Sequence, residues 1–417
     1  MGGGGRAGLS LKSLRTFSSF KNRNFRLYYG AVMGQQACMN MQIVARALLI
    51  YRLTGSPAML GVMSLANALP LIFFSLFGGV IADRVQKKRV LIVGQTGSAV
   101  VSLVIALALQ LGYLSADVPG SWWILIVSSI FQGTILGLMM PSRQSLIPEI
   151  VSRDQLMNAV ALNNLNMNTL RLLAPALAGF LIDAYGFTVI YYTMTGLYLI
   201  AVVFVMPMSL MSTVSLGKKG VLLSIKEGFQ YVRRETTIFL LLGFTLFTII
   251  LSMPCFLLMP IFADDILKVG ATGMGILFSV SGGGAIVGSV VLASMPNKKR
   301  GAMLLVSGLI VGLTLVVFSF STSWYLSLAF IALVGVSQTL LLTTGYSLLL
   351  HYTAADYMGR VMSIFTMQWG FMGFGTLLGG LLAEAVGVQW TVGGFAMVLV
   401  LVFILALPLT PRIRKLD

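Results

Sequence analysis

The chain has 417 residues, of which 57% are apolar and only 10% charged, with a mean hydropathy of +0.93. Water-soluble domains carry about 25% charged residues, so these figures exclude a soluble enzyme and a disordered chain alike. Two cysteines and 45 scattered glycines give no support for a disulfide-stapled or collagenous fold. A formal charge of +16 would point to nucleic acid in a soluble protein, but in a polytopic membrane protein the basic residues must first be placed relative to the bilayer.

A helix needs about 20 mostly apolar residues to cross the hydrocarbon core. Stretches of that length between charge clusters fall at 27–51, 58–82, 90–112, 121–142, 156–183, 187–211, 237–262, 271–294, 301–320, 323–350, 358–384 and 390–410. The predicted fold class is therefore an all-α polytopic membrane protein with twelve transmembrane helices. Pro70, Pro175 and Pro254 fall inside spans, which membrane helices tolerate.

With the N-terminus inside, 24 of the 28 Lys and Arg fall on cytoplasmic segments, and only Arg52 and Lys268 on the outer side. This is the positive-inside asymmetry, and it predicts both termini in the cytoplasm of a cell with the chain in its plasma (inner) membrane. It also disposes of nucleic acid as a partner, because the charge is spread over several short segments rather than one face. Residues 1–26 show no cleavable signal peptide; they are basic and Ser-rich without acids, with Leu11, Leu14 and Phe17 at helical spacing, which suits the anionic inner leaflet. A mitochondrial presequence shares that composition. Cys38 and Cys255 lie inside spans, where thiols are usually packing residues.

Internal repetition is visible. A shift of 201 lays residues 174–186 over 375–387, acid on acid (Asp183 on Glu384) and Gly186 on Gly387, and a shift of 211 lays Lys87-Lys88-Arg89 on Lys298-Lys299-Arg300. The expected organisation is a basic N-terminal segment (1–26), a six-helix bundle (27–211), a cytoplasmic linker (212–236), a second six-helix bundle (237–410) and a cytoplasmic tail (411–417). In the linker Ile225, Phe229 and Val232 form the apolar face of an amphipathic helix opposite Lys226, Glu227, Arg233 and Arg234.

After the second span stands Gly79-Val-Ile-Ala-Asp83-Arg84-Val-Gln-Lys87-Lys88-Arg89. It resembles the loop signature of the major facilitator superfamily, with Gln86 where that family usually has Gly. Gly79 allows close helix approach, Asp83 stands at the inner end of the span beside Arg84, and Lys87 and Lys88 can anchor to lipid phosphates. These five residues are the gating candidates. Tyr51-Arg-Leu-Thr-Gly-Ser-Pro57, Leu60-Gly61, Leu69-Pro70, the Asn22 to Leu27 approach to span one, and Pro141, Arg143 and Leu146-Ile-Pro148 are similar to the macrolide-efflux-like and enterobactin-exporter-like branch. The resemblance covers nearly the whole chain. It implies two pseudo-symmetric six-helix bundles, alternating access, and export of bulky, often amphipathic molecules. It also implies that the first and fourth spans of each half face a central cavity while the second and fifth form the seams.

Polar residues inside spans are the informative ones, because lipid exposes their cost. On span one Gln35, Met39, Gln42 and Arg46 fall at i, i+4, i+7 and i+11, with Asn40 beside them; on span five Asn164, Asn168, Arg171 and Pro175 repeat that spacing. Arg171 is near mid-membrane and is the leading candidate for an anionic group of the substrate, the alternative being a structural bridge; Arg46 is shallower and can snorkel. Gln132, Gln338, Tyr346, Gln368 and Trp369 complete the substrate-binding set, with Asn67, Met139, Met140 and Met259 as further lining. Each polar residue among these is, singly, more often a helix-to-helix hydrogen bond than a ligand.

No catalytic residue, metal site or cofactor is expected. Asp264-Asp265, an adjacent acid pair, stands in an outer loop, which does not suit a prenyltransferase, and a phosphate-binding Gly-x-x-x-x-Gly-Lys loop is absent. Ser129 precedes Gln132-Gly133 where related antiporters carry Arg, Asp183 and Glu384 lie near outer turns, and His351 is at an inner helix end, so a coupling proton finds no carrier at the midplane. The expected function is a monomeric secondary transporter that exports amphipathic small molecules across the lipid bilayer. Lysophospholipid translocation and siderophore export are the alternatives within that class, and a non-transporting receptor or scaffold outside it. The topology is checked by labelling: a cysteine at Lys298 should react only from the cytoplasmic side and one at Ala116 only from outside, and the reverse pattern would overturn the orientation.

Overall fold

The computed structural model describes residues 19–152, 155–208, 221–296 and 298–417, with side chains described except at 76–84, 144, 221–226 and 355. The expected N-terminal segment up to residue 18, the first part of the linker, and the side chains of Gly79, Asp83 and Arg84 lie outside the described residues. What is described is helical, without strands among the described residues.

The first group of helices is α1 (Arg23–Thr54), α2 (Pro57–Arg84), α3 (Lys87–Gln110), α4 (Trp123–Gln144), the short α5 (Ile147–Ile150) and α6 (Leu156–Val205). Helix α7 (Val221–Arg234) leads to α8 (Thr236–Leu257), a single turn α9 (Met259–Ile261) and a π turn at Phe262–Ile266. There follow α10 (Gly270–Ser294), α11 (Arg300–Phe320), α12 (Trp324–Tyr352), α13 (Met358–Met367), a 3-10 turn at Gln368–Phe371, α14 (Met372–Val386), α15 (Val388–Leu409) and α16 (Pro411–Arg414).

Ten helices are long and apolar enough to cross a membrane by length and composition. One of these, α6, is two antiparallel arms joined at Gly186, where φ 82° and ψ 175° reverse the chain in a conformation that a residue with a Cβ rarely adopts. Helix α1 is 32 residues long but falls short in hydropathy, because it carries Gln35, Gln36, Asn40, Gln42 and Arg46. Counting both arms of α6 and adding α1 is consistent with the twelve expected spans. The sixth expected span ends earlier than residue 211, at Val205, and the eleventh is broken at Gln368–Phe371 between α13 and α14.

Local signals set the ends. Asn22 caps α1, its side chain accepting from the backbone N–H of Asn24 and Phe25, while its amide donates to Ile150 O at 2.7 Å and so ties the start of α1 to α5. Gly55, at φ 64°, closes the same helix with its N–H on Tyr51 O. The chain therefore alternates between a basic end, which holds the described termini, and a distal end, which holds Gly55, Gly186 and Gly387. At the basic end Lys299 N–H donates to Asp417, Lys88 Nζ donates to Met208 O, and Lys87 pairs with Glu149.

Packing repeats between the two groups. Helix α2 lies on α4 as α10 lies on α12, and α3 on α4 and α6 as α11 on α12 and α15. The groups meet along two seams, α2 on α14 and α6 on α10. Helix α7 docks at the basic end: Glu227 pairs with Arg360 at 2.6 Å, Tyr231 stacks on Tyr357, and Val232 is buried, whereas Phe229 is exposed.

Candidate functional site

Membrane helices lack a hydrophobic drive to associate, so the seams depend on close backbone contact and hydrogen bonds. Both are present in matching places. A Cβ on Gly179 of α6 would lie 2.2 Å from Ala271 O of α10, and one on Gly380 of α14 would lie 2.5 Å from Pro57 O of α2. One turn beyond each glycine stands a carboxylate. Asp183 accepts from the backbone N–H of Ala271 (3.3 Å) and Thr272 (2.7 Å), the free donors that open α10. Glu384 accepts from Ala58 N–H (3.2 Å) and Ser56 Oγ (2.9 Å) at the start of α2, where Pro57 has no N–H of its own to offer.

These are the two acids that the 201-residue shift superimposes, and Gly179 and Gly380 are related by the same shift. Each carboxylate also meets the positive end of a helix dipole belonging to the other group. Beside them Arg52 pairs with Asp264 at 2.8 Å and Tyr51 donates to Asp265. Nearer the midplane Ala176 N–H donates to Ser279 Oγ at 3.2 Å, next to Pro175, which interrupts the helical ladder of α6. Among the described residues, the hydrogen bonds and ion pairs that join the two groups all lie between this level and the distal end.

Toward the basic end the first arm of α6 turns a polar face outward. Asn164 and Arg171 are exposed and Asn168 is half-buried. The guanidinium of Arg171 has no hydrogen-bond or ion-pair partner among the described residues, and the backbone of Arg171 packs against Gly282 of α10. Tyr346 on α12 and Trp369 in the 3-10 turn are also exposed, 43% and 42%.

The span-one stripe has a different setting. Gln35, Gln42 and Arg46 are buried inside the first group, and Met39 is half-buried. Gln35 reaches Met139 Sδ at 3.8 Å, and Arg46 Nη1 donates to Ser129 Oγ at 3.2 Å. Gln132 Nε2 donates to Ser98 Oγ at 3.4 Å. In the second group Gln338 Nε2 donates to Ser252 Oγ at 3.0 Å, while Gln368 accepts from Thr245 and donates to Leu242 O, both at 2.8 Å. These two glutamines clamp α12 and the 3-10 turn onto α8. The set thus divides: Asn164, Arg171, Tyr346 and Trp369 are exposed, Gln35, Arg46, Gln132, Gln338 and Gln368 bond to neighbouring helices, and Gln42 is buried with its Nε2 unpartnered among the described residues.

Sequence reasoning left Tyr51, Arg52, Asp264 and Asp265 without a role and did not single out Ser98, Tyr191 or Tyr198. The superposed acids were the available signal for the distal contacts. Their partners are backbone N–H groups, which no side-chain pattern announces.

Two pseudo-symmetric helical groups, joined at one end by separable polar contacts, define a secondary transporter rather than an enzyme. The sequence pattern of the transmembrane secretion effector family matches residues 14–417, and the chain belongs to that family of major facilitator transporters. Among its relatives, macrolide efflux protein A of Streptococcus pyogenes is 22% identical over 95% of this chain and 99% of its own length. The staphyloferrin A transporter of Staphylococcus aureus is 24% identical over 80% of this chain and 82% of its own, and the enterobactin exporter of Escherichia coli 24% over 79% and 78%. The fold is shared with crystal structures of a nucleoside transporter (TM-score 0.71, 12% identity, 92% of this chain and 99% of that one) and of a POT peptide transporter (TM-score 0.71, 16% identity, 94% and 96%).

Each distal carboxylate contact is worth about 1 kcal/mol or somewhat more as a charge-assisted hydrogen bond. The double variant Asp183→Asn/Glu384→Gln should therefore raise, about tenfold or more, the rate at which a membrane-impermeant maleimide on the distal side labels a cysteine at Ala178, a buried position beside Gly179. Labelling at the parent rate would show that the carboxylates do not hold the distal end closed.

Proposed function

We propose that the protein exports amphipathic small molecules from the cytoplasm by alternating access, in a plasma membrane, with the basic end and both termini on the cytoplasmic face. The observation that supports this reading is the one-sided bonding: the carboxylate caps and the other described polar contacts join the groups distally, while Asn164 and Arg171, on the arm of α6 that leads to the basic end, are exposed. Placing the basic end inside follows the positive-inside asymmetry. The structure would then represent the inward-facing state, ready to receive cargo from the cytoplasm.

In this proposal Arg171, with Asn164 and Asn168, contributes the polar part of the cargo site, and Tyr346 and Trp369 contribute aromatic surface for its apolar part. Gln35, Met39, Gln42, Arg46, Gln132, Gln338 and Gln368 support these helices from behind. Gly79, Asp83, Arg84, Lys87 and Lys88 are assigned to the gate at the basic end, on the strength of the loop signature alone. The working unit is the monomer, since one chain supplies both walls of the path. A coupling proton has its candidates in the end-standing acids, because the described midplane holds none.

Siderophore export is the second reading, favoured by the unpartnered guanidinium of Arg171, which suits an anionic ligand, and by two relatives named for siderophores. Uptake into inside-out vesicles separates the two when a macrolide and a catecholate siderophore are compared at equal protein. Saturable uptake of the macrolide is expected, uptake of the siderophore alone selects the second reading, and uptake of neither contradicts export.

Arg171 is tested in the same assay with binding measured alongside. Arg171→Gln should weaken binding of an anionic cargo about tenfold or more, the value of one lost charge-assisted hydrogen bond, with Arg171→Lys recovering part of it. Parent-like binding and transport in both variants would remove Arg171 from the site, and loss of folded protein in both would make it structural.

A further inference from the structure

One helix at the basic end, α7, lies outside the repeated packing of the two groups. From Glu227 to Arg234, where its side chains are described, it has two unlike sides. One side is fixed to the second group: Gly228 and Val232 are buried, a Cβ on Gly228 would lie 3.0 Å from Arg360 Cβ, and Tyr231 stacks on Tyr357 with ring centroids 4.2 Å apart. Ala354 N–H donates to Tyr231 Oη at 3.1 Å, and Glu227 closes the contact on Arg360. On the other side Phe229 is 48% exposed, Arg233 stands one turn further along, and Arg234 follows it; both arginines are exposed.

Docking alone does not need such a helix. The first group makes the equivalent contact with a few residues: Ser19 N–H donates to Asn158 Oδ1 at 3.1 Å and Asn22 Nδ2 to Ile150 O at 2.7 Å, which pins the approach to α1 on the connection between α4 and α6. In the second group the fourteen residues of α7 occupy the matching place, before α8 and on the connection between α12 and α13. The exposed side is what the extra length adds.

Its position says what that side meets. Arg234 is followed by Glu235, the N-cap of α8, and α8 runs at once into apolar sequence long enough to cross the bilayer. The last turn of α7 therefore stands at the level of the lipid headgroups. Among the longer described helices α7 separates apolar from polar residues most sharply and is the least hydrophobic as a whole, the pattern of a helix that lies in the interface rather than one that spans. Arg233 and Arg234 take part in no ion pair among the described residues, and Glu235, also exposed, is the acid nearest to them in sequence. Two cations against one acid, beside an exposed aromatic ring, complement an anionic headgroup above its acyl chains.

We infer that α7 is a docking surface for anionic phospholipid of the inner leaflet. Phe229 enters the acyl boundary, and Arg233 and Arg234 bind the lipid phosphates. Through Glu227 and Tyr231 the bound lipid anchors the start of α13, and so holds the basic end of the second group at the membrane surface. The assignment is independent of the cargo.

Full-length protein without Cys38 and Cys255, carrying a fluorophore at Phe229→Cys in nanodiscs, tests this by quenching. Nitroxide-tailed lipid should quench the fluorophore and acrylamide in the water should not, and nitroxide-tailed phosphatidylglycerol should quench at a lower mole fraction than the phosphatidylcholine analogue. Arg233→Gln and Arg234→Gln should each lower the preference for phosphatidylglycerol about fivefold. Arg412→Gln/Arg414→Gln, which removes two exposed cations of α16, should leave that preference unchanged. Quenching by acrylamide instead of lipid would put Phe229 in the cytoplasm, facing a soluble partner, and would overturn the inference. Equal quenching by the two lipids, or equal loss of preference in the α16 variant, would overturn it as well, the latter because the basic end would then act only as a diffuse field.

Discussion

A carboxylate one turn beyond a glycine, accepting hydrogen bonds from the start of a helix in the other group, is the contact on which the closed distal end depends. It occurs twice, at Gly179 with Asp183 and at Gly380 with Glu384, and the glycine and the acid answer different needs. The glycine removes the side chain that would hold the two backbones apart. The acid satisfies backbone donors that α10 and α2 leave free at their first turns. Because the same device closes both seams, the two groups meet about a pseudo-twofold relation that the chain already carries as a repeat.

Magnitude decides what such contacts can do. Arg52 and Asp264 are partly exposed, and a pair of that kind contributes at most about 1 kcal/mol. With the two carboxylate caps, the distal contacts sum to a few kcal/mol, and a change of about 5.5 kcal/mol is what moves a two-state equilibrium from one extreme to the other. The closure is therefore of the size that cargo or a change in charge can reverse. Inside the second group the contacts are different in kind: Gln368 is satisfied on both sides by α8, and Phe262, Phe318 and Phe403 are fully buried, so that group is held together independently of the seams.

Much of this was legible in the sequence, for identifiable reasons. Hydropathy located the spans to within a few residues because the bilayer imposes one length on every pass, and the basic residues separated the two ends. The break at Gln368–Phe371 was not legible, because a 3-10 turn held by Thr245 and pressed on Ile72 has no local signature. The span-one stripe was legible as one polar face, but periodicity gives the face and not its neighbour: Gln42 and Arg46 are buried in the first group, Arg46 against Ser129. Asp183 and Glu384 were visible as superposed acids, and their partners were not, since backbone N–H groups are the same at every position. Gly79, Asp83 and Arg84 carried the family resemblance; they close α2, and their side chains lie outside what is described.

Alternation of access requires the two ends to move in opposite senses, and this is measurable as two distances in one preparation. Spin labels at Tyr113 and Tyr325, exposed at the distal end, and at Val85 and Met295, exposed at the basic end, report the two openings in a background without Cys38 and Cys255. With both carboxylates intact the distal pair should be close and the basic pair far apart. In Asp183→Asn/Glu384→Gln the distal distance should lengthen while the basic distance shortens. Both distances unchanged, or both lengthening together, would contradict a pair of carboxylate caps that holds one end of an alternating-access transporter shut.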